Sequence, residues 1–63
     1  MYMVIDKNNN TKWAVSDDFN TFIGMCKYLK KNIQEAENLM VVWNSGGKTK
    51  EKDFSEFCAI QGI

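Results

Sequence analysis

The sequence predicts an α+β fold in a single domain, residues 1–63. The expected architecture is a small antiparallel sheet of three to four strands, one long amphipathic helix packed on it and a short C-terminal helix, in the order β-β-α-β-(β)-α. Three observations carry this. Two β-favouring segments flank an asparagine cluster near the start. Apolar residues then recur at helical spacing from Phe19 to Ala36, and the apolar run Leu39 to Trp43 leads into Gly46-Gly47.

Tyr2 to Lys7 and Lys12 to Ser16 read as a hairpin, with Val4, Ile5, Trp13 and Val15 supplying the side chains that suit a pleated surface. Asn8-Asn9-Asn10-Thr11 is turn material, because asparagine tolerates left-handed geometry and bonds its own backbone. Alternation fails in the first strand, where Tyr2, Met3, Val4 and Ile5 are all apolar. Such a strand is either central and covered on both faces or offers one face to a partner.

Ser16 is placed to cap the following helix, and Asp17 and Asp18 set negative charge against the positive end of its dipole. Phe19, Phe22, Ile23, Cys26, Leu29, Ile33 and Ala36 form one apolar stripe, opposite Asn20, Gly24, Lys27, Lys31 and Glu35. Glu35 and Glu37 oppose the dipole at the far end, where Asn38 is expected to stop the helix in left-handed geometry. Leu39 to Trp43 is too short for a helix and reads as a central strand. Asn44-Ser45-Gly46-Gly47 signals a turn, and Lys48 to Lys52 an edge strand guarded by lysines. Asp53 and Glu56 have capping-box spacing around the start of a short helix carrying Phe54, Phe57 and Cys58, which Gly62 closes.

A chain of 63 residues hides only about 60% of its unfolded surface, so its core is small and a dimer or partner would reinforce it. Lys+Arg and Asp+Glu balance at eight each, leaving no net field to draw nucleic acid or an anionic membrane. Every cation is a lysine, so the planar fork with which arginine grips phosphate is missing. Lysine- and asparagine-rich usage without Arg, His or Pro matches an AT-rich genome, as in many phages and low-GC bacteria. The N-terminus lacks a signal-peptide pattern and no apolar run approaches bilayer length, so a cytoplasmic protein without membrane contact is expected. Cys26 and Cys58 are then reduced, and both fall on apolar helix faces as small buried hydrophobes.

Gly46-Gly47-Lys48-Thr49 has the look of a phosphate-binding loop. The motif wants its first glycine where Val42 stands, inside the apolar run, and four residues are too few to encircle a phosphate. The segment is expected to turn a corner. With no histidine, imidazole-driven nucleophilic schemes are unavailable, and two distant cysteines cannot make a structural zinc site. The expectation is a non-enzymatic protein with no catalytic residues, no cofactor and no metal.

The leading functional expectation is a small module that binds another protein, as an inhibitor or adaptor of a larger host or bacterial protein. Methionine and aromatic side chains at Met1, Tyr2, Met3, Trp13, Met25, Tyr28, Met40 and Trp43 exceed what a two-layer core hides easily, and they are common at adaptable interfaces. Gly24 costs its helix about 1 kcal/mol, which close approach of a partner would offset. Open sheet edges allow strand addition, either to a partner or to a second copy in a homodimer. Tyr2, Trp13, Gly24, Tyr28, Trp43, Lys48 and Lys50 are therefore the candidate partner-binding residues. The alternative is nucleic-acid binding, with Tyr2, Trp13 and Trp43 as a stacking platform and Lys12, Lys48, Lys50 and Lys52 on phosphates. Zero net charge weighs against it, and both tryptophans are expected in the core.

Overall fold

The computed structural model describes residues 1–33 and 36–63. Its elements are β1 (Tyr2–Asp6), β2 (Lys12–Ser16), α1 (Phe19–Asn32), a 3₁₀ turn (Ala36–Asn38), β3 (Leu39–Ser45), β4 (Lys48–Asp53) and α2 (Phe54–Gln61). This is the expected α+β order with the optional strand present. The strands form one antiparallel sheet in the order β2-β1-β3-β4, so β1 and β3 are central and β2 and β4 are edges.

Register builds one apolar layer. Val4 pairs with Ala14 on one side and Val41 on the other, while Tyr2 pairs with Ser16 and Trp43. Leu39, Val4, Val41 and Ala14 are buried together with Phe22 and Cys26 of α1 and Phe54, Phe57 and Cys58 of α2. Tyr2 stacks on Phe22 at 5.4 Å, and Phe57 meets both Phe22 at 5.9 Å and Trp43 at 6.0 Å. Both helices thus cover the same face of the sheet. Burial pushes the Cys26 thiol up from 9.0 to about 12 and raises Cys58 as well.

The turns follow their residue chemistry. In the first, the side chains of Asp6 and Asn9 accept from the N–H groups of Asn8 and Thr11, and Asn10 sits at φ 60°. In the second, Gly46 and Gly47 hold φ 59° and 78° between the paired Ser45 and Lys48. That is the pattern of a two-residue hairpin with both central residues left-handed, which glycine adopts freely. The Gly-Gly-Lys-Thr segment turns a corner, and β3 runs two residues past Trp43 because Asn44 and Ser45 pair with Thr49 and Lys48. Gly62, at φ 74°, closes α2 as expected.

Several expected details are corrected. Asp18, not Ser16, caps α1: its carboxylate accepts the Thr21 N–H at 2.8 Å, because Ser16 is still in the sheet, paired with Tyr2. The same hydrogen bond holds the Asp18 carboxyl below its usual range. The helix stops at Asn32 rather than running to Ala36. Asn32 donates its side-chain amide to the Tyr28 carbonyl, and Ile33 is already extended. Asn38 is not the left-handed stop; it lies in the 3₁₀ turn, where its carbonyl accepts the Lys7 N–H at 2.7 Å. The expectation for Glu35 lies outside the described residues. The Asp53–Glu56 capping box does not form: Asp53 pairs with Lys7 at 3.3 Å and Glu56 with Lys52 at 3.2 Å. Trp13 is not core; it is 49% exposed.

Candidate functional site

Strand side chains alternate, so the residues between the core-facing positions point away from the helices. They are Met3 and Ile5 on β1, Val15 on β2, and Met40 and Val42 on β3. Met3 lies between Val15 and Val42, and Ile5 is opposite Met40. None of the five belongs to the buried cluster. Strand spacing and rise give the patch roughly 300 Å² in plan, the scale of the largest apolar patch on an ordinary monomer. On this face β4 contributes Thr49, Glu51 and Asp53, opposite Asn44, Val42 and Met40, so the patch has a polar margin. The Lys7–Asp53 ion pair closes one corner, where Lys7, Met40 and Glu51 border a shallow depression.

A second concave region runs along the free edge of β2. Lys12, Trp13, Ala14 and Val15 form its floor, and Met25, Tyr28 and Leu29 of α1 overhang it, enclosing an open groove of about 420 Å³. A bulge between Val4 and Ile5 sets Ile5 opposite Lys12 and leaves Trp13 unpaired, which helps turn the indole outward. Tyr28 is 62% exposed.

The seven residues singled out in the sequence fall into three places. Trp13 and Tyr28 both line the groove, with Gly24 one helical turn before Tyr28 and open space where its Cβ would be. Tyr2 and Trp43 face each other across β1 and β3 beneath the helices, packed against the core. Lys48 and Lys50 lie exposed on the far edge strand. Tyr2, Trp13 and Trp43 therefore do not share one face as a stacking platform. Ile5, Val15 and Val42 were missed by sequence reasoning. For Ile5 and Val42 the signal was the unbroken apolar run in β1 and β3, which requires cover on both faces, while the described helices cover one.

Among the described residues, no three His, Cys, Asp or Glu side chains are grouped to hold a metal ion, and no helix is long and apolar enough to cross a membrane. Comparison with family models, curated proteins and solved structures yields no match.

Proposed function

We propose that this chain is a non-enzymatic protein-binding module that inhibits or adapts a larger protein by presenting its uncovered sheet face. One observation carries the reading: Met3, Ile5, Val15, Met40 and Val42 lie together on the side opposite both helices, with charge confined to the margin. Burying such a patch returns about 25 cal/mol per Å² of apolar surface, and methionines let it adapt to its partner's shape. The Arg-, His- and Pro-free composition supports a phage-encoded inhibitor acting in a bacterial cytoplasm, where the Cys26 and Cys58 thiols stay reduced.

The test is capture from a bacterial lysate, with and without nuclease, using the native chain, Val42→Lys and Lys50→Ala. One protein should be recovered stoichiometrically, lost with Val42→Lys and kept with Lys50→Ala and with nuclease. Recovery of many proteins that disappears with nuclease supports nucleic-acid binding instead. Recovery indifferent to Val42→Lys refutes the role of this face.

A further inference from the structure

The two edges of the sheet are built differently. On β4, Lys48, Lys50 and Lys52 alternate along the strand, a charge pattern that opposes pairing with another sheet. On β2 the only charge is Lys12, at its first residue, and the remainder is Trp-Ala-Val-Ser. That edge has β1 on one side and the groove on the other. We propose that β2 pairs antiparallel with β2 of a second copy of this chain, making a two-fold dimer with a continuous sheet of order β4-β3-β1-β2-β2-β1-β3-β4.

Four features fit a second copy in particular. β2 is self-complementary about its middle residue, Ala14. A two-fold axis there brings Trp13 beside the partner's Val15 twice over and Lys12 beside Ser16, with the bulge at Trp13 loosening that register, so no like charges meet. Trp13 and Val15 are 49% and 39% exposed in the single chain, and aromatic–β-branched pairs across strands stabilise a sheet. Second, α1 lies over β2 and β1. With strands about 4.8 Å apart, the two copies of α1 would stand roughly 10 Å from each other, a normal helix-packing distance. Met25, Tyr28 and Leu29, which overhang the groove, would then meet their own counterparts.

Third, aromatic side chains bury about 150–250 Å² each, so Trp13 and the 62%-exposed Tyr28 together offer on the order of 200 Å² per copy before the strand backbone and groove are counted. The bulge at Lys12 and Trp13 limits regular backbone pairing to the centre of β2, so the dimer leans on these side chains and belongs in the micromolar range. Fourth, the assembly ends itself: its outer edges are the lysine-bearing β4 strands, and growth stops at two. The dimer also joins the two uncovered faces into one surface, although it does not depend on the partner-binding reading.

Sedimentation equilibrium on the whole chain tests this, with circular dichroism to verify folding. The native chain should associate to a dimer at high micromolar concentration. Tyr28→Glu and Val15→Lys should each weaken association by about tenfold or more, while Lys50→Glu on the other edge should not. Because Val15 also touches the uncovered face and its lysine variant can misfold, Tyr28→Glu decides between edge and face. Mild oxidation of Ala14→Cys should give a cross-linked dimer, since the two positions coincide at the axis, whereas Lys12→Cys should not. A native chain monomeric up to millimolar concentration overturns the proposal. So does a dimer indifferent to Tyr28→Glu, or one that cross-links through Lys12→Cys and not Ala14→Cys.

Discussion

The two faces of this sheet carry similar side chains and have different fates. Val4 and Val41, beneath the helices, are completely buried; Met3, Ile5, Met40 and Val42, on the same two strands, are only partly covered by their neighbours. Apolar content alone does not tell the faces apart. What separates them is that α1 and α2 both bring their apolar residues to one side, with Phe22 and Phe57 meeting at 5.9 Å above the sheet. In a chain this short the two helices are enough to build one layer. The other face has the composition of an interior without the cover of one.

The sharpest break between the faces should be energetic. Phe22, fully buried and in aromatic contact with Tyr2 and Phe57, should cost about 3–5 kcal/mol when changed to alanine, enough to unfold much of a small domain. Val42→Ala, one layer away on the uncovered face, should cost about 1 kcal/mol or less. Urea unfolding of both variants measures the pair. Equal losses would mean that Val42 packs as core does and that the uncovered face is misassigned.

Chemical reactivity separates the faces in a second way. Raising the Cys26 thiol from 9.0 to about 12 leaves far less thiolate near neutral pH, and its burial excludes reagents. A thiol introduced by Val42→Cys should react with a maleimide at an ordinary rate, while Cys26 and Cys58 react only as the protein opens. The same shift sets a pH dependence. The native state prefers the neutral Cys26 thiol, so this contribution is complete below pH 9.0 and is lost as pH rises toward about 12. Alkaline unfolding should therefore move upward in Cys26→Ala relative to its own neutral stability; an unchanged profile would assign the alkaline limit to other groups.

Where the sequence was legible, a local cause dominated. The asparagine turn, the Gly46-Gly47 hairpin and the Gly62 stop each depend on a few adjacent residues, and each stands where those residues place it. The apolar stripe placed α1 and its buried Phe22 and Cys26. Helix ends were less legible because they are decided by competition. Ser16 and Asp18 can both cap, and only the pairing of Ser16 with Tyr2 leaves the task to Asp18. At the end of the helix the Asn32 side-chain amide donates to the Tyr28 carbonyl and Ile33 turns extended, which no periodicity reveals. Trp13 illustrates the limit for the candidate site. Its residue type suggests core, whereas its exposure follows from an edge position and a bulge beside an open groove. Those are properties of topology, and neighbours in sequence do not encode them.

The smallest expected effect concerns Gly24, on the outer side of α1. Nothing lies within 4 Å of the place its Cβ would occupy, so alanine fits without displacing an atom. Its helical backbone is one that alanine adopts readily, and the substitution narrows the unfolded ensemble, so Gly24→Ala should stabilise the chain by about 0.5–1 kcal/mol. Retaining glycine at that cost makes sense if a neighbouring helix approaches there, one turn from Tyr28. Thermal unfolding and sedimentation on the same variant distinguish the outcomes. Higher stability with weakened association would put Gly24 at a contact between chains. Higher stability with unchanged association would make it a tolerated flaw in α1. A loss of stability would mean that this side of the helix is more crowded than the open surface described above.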